Sequence, residues 1–387
     1  MNDKPTLLYA SPFPPLKSGI SDYSVILVKA LSEIFNITLY IDNYEISPTC
    51  GLQGFPIKKG VDNIQFDEFD YKIYNIGNQP DYHGYIYQAC LQHPGLVILH
   101  DLSLYYLFIG CYTKTNQLYS KLLKEAGLNI FLFLKSTFKK ENKGPLEIKS
   151  IAGKIRLNEE LLKSPNKIMV HSEFAKTVVG RYTDKVRKIN HIKIVDKLDS
   201  LIKREELLKK YKIPTNATII SSFGFIAETK LNHIACKVIN RLVKKHKNIC
   251  YVMVGDGAYV NPFIDDKHIF KTGFVGLEDF DSFISYSDLV LNLRYPSMGE
   301  TSGTLIRALE MSKCCIINDD GWFHEIPNDC AIKIGINNIE HNLEEALEKC
   351  LGHIDKCKEI GINAQKYIDK NYSKKIIIKQ IEEFLNC

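Results

Sequence analysis

The strongest constraint on this chain is a repeated alternation. Short apolar runs end at a glycine or polar turn, and stretches with helical spacing lie between them. In the first half the runs are TLLYA, ITLYI, YKIYNIG, LVILHD and KIMVHS. Between the first two, SDYSVILVKALSEIF sets Val25, Val28, Leu31 and Ile34 on one helical face. Strands separated by helices pair in parallel through right-handed crossovers. A second set, ATIISSFG, ICYVMVGDG, HIFKTGF, LVLNLR and CCIIND, begins near residue 216. At 387 residues the chain also exceeds one ordinary core. The expected fold class is α/β, with two Rossmann-like domains in tandem, residues 1–195 and 196–371. The lysine-rich DSLIKREELLKKYKIP follows that junction. The final YSKKIIIKQIEEFLNC reads as a helix capped by Ser373, with Ile377, Ile381, Phe384 and Leu385 on its apolar face.

Charge excludes one class of function. Fifty basic and 45 acidic residues leave a net charge of only +5, well short of a nucleic-acid binder. The opening MNDKPTLLYASPFPP has no long apolar core, so no secretory signal is expected. No run is long enough for a spanning helix. The eleven cysteines form no CxxC pair and read as reduced thiols in a cytoplasmic protein. No His, Cys or Asp cluster has metal spacing, so neither a metal nor a cofactor is expected. Residues 103–150 break the alternation by mixing aromatic and aliphatic residues with lysines. Two readings stay open for residues 104–140: helices covering the first domain, or an amphipathic patch on a membrane surface.

Ligands of open α/β sheets bind outside the carboxyl ends of the strands. Four segments fall there. In SPFPPLKSGISDYS, Gly19 precedes a helix read as starting at Ser21. In LHDLS, His100 and Asp101 follow an apolar strand, and Asp101 is placed to orient the histidine. FGFIAETK ends on Lys230, and LNLRYPSMGETSG carries Arg294, Glu300, Thr301, Ser302 and Gly303. Singly these are turns, caps and solvated charges. Together they place two helix starts, a lysine and an arginine where a diphosphate could be clamped. The first turn lacks GxGxxG and no GxxxxGK[ST] occurs, which disfavours nicotinamide binding and excludes a Walker-type hydrolase.

In their order, these segments resemble the retaining glycosyltransferases of the family 4 group, whose architecture is GT-B. The resemblance rests on PFPPLKSGISDYS, GNQPDYHGYIY with HPGLVILHD, VHSEFAKTVV, SSFGFIAETK, VMVGDG, SDLVLNLRYPSMGETSGTLIRALE and DDGWFHEIP, from residue 7 to 327. It implies two facing Rossmann-like domains, a donor cleft between them, and residues 372–387 packing back on the first domain. It further implies that Gly19 and Lys230 meet the donor diphosphate, supported by Arg294. Glu300, Thr301, Ser302 and Gly303 would cradle phosphate and sugar, His100 would lie by the anomeric carbon with Asp101 beside it, and Asp22, Asn78 and His83 would line the acceptor side. No metal is implied, because protein cations and helix dipoles neutralise the leaving group. Two departures stand out. The family's arginine before the lysine is replaced by Gly224, and the second glutamate, which grips the ribose, is absent, with Arg307 aligned to its slot.

The expected activity is sugar transfer from a nucleotide-sugar to a hydroxyl of a glycan or lipid-linked oligosaccharide, in bacterial surface-polysaccharide assembly at the inner face of the plasma membrane. Two rivals are a sugar-nucleotide epimerase and a non-catalytic carbohydrate-binding subunit. The single Trp322 offers few stacking platforms for the latter.

Overall fold

The computed structural model describes residues 4–60, 64–113, 115–141, 145–147, 154–194 and 201–387. The chain divides into two compact units. The first holds Met1–Ile192, Met298–Thr301 and Lys374–Cys387; the second holds Lys193–Ser297 and Ser302–Ser373. The expected junction at 195–196 lies outside the described residues.

Each unit is a parallel sheet between helices. In the first, β1 (Thr6–Ala10), β2 (Asn36–Ile41), β3 (Ile57–Lys59), β4 (Tyr71–Ile76), β5 (Leu96–Leu99), β6 (Lys167–Val170) and β7 (Val186–Lys188) run in the order β3-β2-β1-β4-β5-β6-β7. In the second, β8 (Thr218–Phe223), β9 (Ile249–Val254), β10 (Ile269–Lys271), β11 (Leu289–Asn292), β12 (Cys315–Asn318) and β13 (Ile332–Ile334) run in the order β10-β9-β8-β11-β12-β13. Every residue of LVIL in β5 and of ICYVMV in β9 is buried, as strands covered on both faces require. The expected strands are present. The three-residue strands β3, β7 and β13 were not visible in the sequence, because IKK, VRK and IKI each carry charge. Lysine and arginine suit strands at or near a sheet edge, where they discourage further pairing.

The strand order reverses between β1 and β4 in one sheet and between β8 and β11 in the other. Loops leaving those strands diverge to opposite faces and open a crevice at the carboxyl edge. That topology fixes where a ligand can enter each unit.

The helix Lys374–Asn386 belongs to the first unit. Ile377, Ile381, Phe384 and Leu385 are buried there with Leu7, Leu27 and other residues of one core cluster. Lys167 donates to the carbonyls of Phe384 and Leu385 (3.2 and 2.9 Å), satisfying the open end of the helix. The helix Tyr105–Thr113 is a core helix, burying Tyr105, Leu107, Phe108, Ile109 and Tyr112. In the helix Gly19–Leu31, Leu27, Val28 and Leu31 are buried, while Val25 sits at the margin of the core.

Candidate functional site

The carboxyl edge of the first sheet is built around one buried asparagine. Asn75, next to last in β4, is fully inaccessible, and its amide donates to the Ala10 carbonyl of β1 (3.4 Å). Its side-chain oxygen accepts from His100 Nε2 at 3.0 Å, and its backbone carbonyl accepts from His83 Nδ1 at 3.0 Å. Those two bonds set the tautomers. His100 keeps Nδ1 as an acceptor and His83 keeps Nε2. Burial pushes His83 down to about 4, and burial and the neighbouring imidazoles push His100 well below its ordinary value. Both rings are neutral at pH 7.

His100 is not alone. Tyr23 stands edge-on to it at 4.9 Å between ring centroids, and lies 5.5 Å from His171 and 4.5 Å from His191. Burial lowers His171 to about 4 and His191 to about 3. Among the described residues, neither the Tyr23 hydroxyl nor His171 Nε2 has a hydrogen-bond partner. The sequence reading missed Asn75, Tyr23, His171 and His191. His171 carries a usable signal, since VHS follows β6 just as LHD follows β5.

Beside this cluster a cavity of about 490 Å³ is lined by Ser18, Asn78, His83, Asp101 and Tyr106, among others. Asn78 is held at both ends. Its amide N–H donates to Asp101 Oδ2 (2.9 Å), and its side-chain oxygen accepts from the amides of Tyr106 and Leu107 (2.9 and 3.2 Å), opening the helix Tyr105–Thr113. His100 is held at Nε2 by Asn75, and Asp101 accepts from the amide of the Asn78 loop. The start of the helix after β1 is corrected. Ser18 accepts from the Ile20 amide (3.2 Å) and Gly19 is the first, exposed residue, whereas Ser21 is buried within the first turn. Asp22 is exposed in that first turn, where a carboxylate meets the positive end of the helix.

Residues 298–301 pack with this unit. The Met298 carbonyl accepts from the amides of Leu102 and Ser103 (3.0 and 3.2 Å). Glu300 Oε2 accepts from the Met298 amide at 2.6 Å, and Thr301 is half-buried next to it.

The carboxyl edge of the second sheet has the opposite character. Lys230 Nζ donates to the Phe223 carbonyl at the end of β8 (2.7 Å). A Cβ on Gly224 would lie 2.8 Å from that nitrogen and 3.8 Å from Thr304 Cγ2, so Lys230 and the start of the helix Gly303–Glu310 flank one glycine. Gly224 has φ +85°, a backbone conformation that an L side chain, arginine included, adopts only with strain. Ser302 caps the helix, its hydroxyl accepting from the Leu305 amide (3.2 Å), with Gly303 as first residue. The loop after β11 is tied to the Lys230 turn, since the Tyr295 amide donates to the Thr229 carbonyl (2.7 Å) and Arg294 Nη1 reaches Thr229 Oγ1 (3.4 Å). Lys230, Arg294, Ser302 and Gly303 are thus gathered at the crevice of one sheet.

Arg307, aligned to the slot of the absent glutamate, is engaged by Asp281. Its guanidinium makes a two-point ion pair with Asp281 (2.5 and 2.7 Å) and is mostly buried. Among the described residues no group of three or more His, Cys, Asp or Glu could hold a metal ion. All eleven cysteines are free thiols.

No protein-family model matches the sequence, and neither does any curated protein. Solved structures match along nearly the whole chain. HepE of Anabaena, crystallised with UDP and glucose, is 14% identical over 99% of both chains with a TM-score of 0.64. A glycosyltransferase from Rickettsia africae is 18% identical over 100% of this chain and 98% of its own, TM-score 0.64. A provisionally named UDP-N-acetylglucosamine 2-epimerase from Listeria monocytogenes is 13% identical over 98% and 95%, TM-score 0.58. Over its whole length, then, this chain is similar in fold to the two-domain, Rossmann-like GT-B proteins.

Proposed function

We propose that the chain is a retaining glycosyltransferase that moves a sugar from a nucleotide-sugar to a hydroxyl of a glycan or lipid-linked acceptor, without a metal, in surface-polysaccharide assembly. One observation carries this reading: an ammonium anchored beside a capped helix start, at the crevice of the second sheet. Lys230, Arg294 and the N-terminal end of the helix Gly303–Glu310 supply the positive charge and dipole that a departing diphosphate requires. In the transfer, the bond from the anomeric carbon to the diphosphate oxygen breaks and its electron pair leaves with the diphosphate. The acceptor oxygen bonds to the same face of that carbon, and its proton passes to the departing oxygen. Fixed donors that meet growing charge are worth several kcal/mol each in such sites. His100, neutral and held by Asn75, offers a lone pair to the sugar and no charge to the phosphates.

The fold is shared with a provisionally named epimerase, so the chemistry has to be tested directly. A thermal-shift panel of UDP, GDP and ADP comes first, because a bound nucleotide stabilises by mass action. One of them should raise the melting temperature; if none does, the donor assignment fails. With the matching nucleotide-sugar, the enzyme should release free nucleoside diphosphate, in excess chelator as well as with added Mn²⁺. An epimerised nucleotide-sugar with no free diphosphate would move the chain to the epimerases.

A further inference from the structure

The helix Leu118–Glu141 is broken at Gly127, where φ is 71° and ψ is 168°. The break turns the chain back on itself. The ring of Tyr119 lies 6.2 Å from that of Phe131, and Lys135 Nζ lies 5.9 Å from the Tyr119 ring centroid. In an unbroken helix those residues would be about 18 and 24 Å apart along the axis. The element is a helical hairpin with Gly127 at its bend.

One side of the hairpin is ordinary. Leu122, Leu134 and Phe138 are buried in the core of the first unit. The other side is not. Leu128, Ile130, Leu132 and Phe133, just past the bend, are 60%, 41%, 52% and 53% exposed. A run of large apolar side chains at a protruding bend is what a soluble surface normally avoids. The charge on it is unequal. The helix Leu118–Glu141 holds five lysines against two acids, Glu125 and Glu141, and one of those lysines, Lys121, pairs with Glu160. Glu125 is turned inward, where its carboxylate accepts from the amides of Glu159 and Glu160.

We infer that this hairpin is a membrane-docking element that seats Leu128–Phe133 in the interface of a bilayer rich in anionic lipid. Apolar side chains at the tip with lysines behind them match a surface whose boundary is apolar and whose headgroups are negative. A second copy of the chain is the poorer occupant, because a two-fold contact would set the same lysines against each other. Among the described residues no helix is long and apolar enough to cross a membrane, so the contact is peripheral. The inference is independent of the donor chemistry.

Co-sedimentation of the full chain with vesicles tests it. Vesicles containing about one third phosphatidylglycerol should pellet the protein at about 0.05 M salt, pure phosphatidylcholine should not, and about 0.5 M salt should release it. Leu132→Ser with Phe133→Ser should weaken binding at least tenfold. Lys139→Glu with Lys140→Glu should weaken it by about fivefold or more per charge. The altered side chains are exposed, so melting temperatures should stay near that of the parent. Failure of the parent to pellet at low salt, or tip variants that still pellet, would overturn the proposal. Gel filtration showing a dimer that the tip variant abolishes, without vesicle binding, would assign the tip to a second copy.

Discussion

The two carboxyl edges arise from the same topology yet solve opposite electrostatic problems. At the edge of the first sheet, His83, His100, His171 and His191 are held uncharged by burial, three of them around Tyr23 and two tied to Asn75. At the edge of the second, Lys230 is half-exposed and Arg294 part-exposed, beside a capped helix start. The difference shows what the fold leaves free. A parallel sheet fixes where loops open, and the residues on those loops decide whether the opening is a neutral hydrogen-bonding surface or an anion site. An uncharged edge suits a polyhydroxyl group, and a cationic edge suits an anion such as a diphosphate.

The largest effect should come from removing the histidine that the neutral edge is built to present. His100→Ala is expected to lower kcat by about a hundredfold or more while leaving nucleotide affinity within about twofold. Single-turnover transfer and a binding isotherm on the same sample check it. Destabilisation with normal turnover of the folded fraction would reduce His100 to a structural residue.

Next is the hub. Asn75→Ala leaves His100 Nε2 and the Ala10 carbonyl to find new partners, while His83 keeps its bond to the backbone carbonyl of residue 75. It should cost about 2–4 kcal/mol, because each unpaired buried polar group costs about 1–3 kcal/mol. Chemical denaturation measures it, and a loss below about 1 kcal/mol would show that the network relaxes around the gap.

Acid should separate the two units. His83 and His171 sit at about 4 and His191 at about 3, against an ordinary 6.5. Between 6.5 and about 4 the unfolded chain binds protons that the folded first unit refuses. That stability is complete above 6.5 and is lost as pH falls, by about 2 kcal/mol per histidine at pH 5. Trp322, the only tryptophan, is buried in the second unit and reports on it alone. Far-UV circular dichroism should therefore begin to fall at a higher pH than the shift in Trp322 fluorescence. Coincident transitions would remove the contrast.

The smallest effect concerns the absent glutamate. Arg307→Gln removes a mostly buried ion pair with Asp281 and should lower stability by about 1–3 kcal/mol, with nucleotide affinity unchanged. A tenfold loss of affinity at unchanged stability would return Arg307 to the ribose.

Much of this was legible in the sequence, for definite reasons. Interior strands such as LVIL and ICYVMV announce themselves because both faces are covered, whereas IKK, VRK and IKI hide because edge strands are charged. His100 drew notice because it directly follows β5, and Lys230 because it lies in the turn that β8 runs into, places where sheet topology focuses ligands. Asn75 was hidden inside a strand, and nothing in YKIYNIG says that its side chain turns toward a histidine 25 residues on. The bond from the Asn78 amide to Asp101 was equally hidden, because adjacency in sequence points from Asp101 to His100 and not to a loop 23 residues away. The helix was read as starting at Ser21 because Gly19 looked like the turn, yet Gly19 is the first helical residue and Ser18 is the cap.

The division of labour is tested most directly by titrating UDP and uridine side by side into the parent, Lys230→Ala and His100→Ala. If the second edge holds the diphosphate, Lys230→Ala weakens UDP by about ten- to a hundredfold, the range of a hydrogen bond to a charged group, and leaves uridine unchanged. His100→Ala should change neither. Equal losses for UDP and uridine in Lys230→Ala, or a loss of UDP binding in His100→Ala, would contradict the assignment of charge to one edge and sugar to the other.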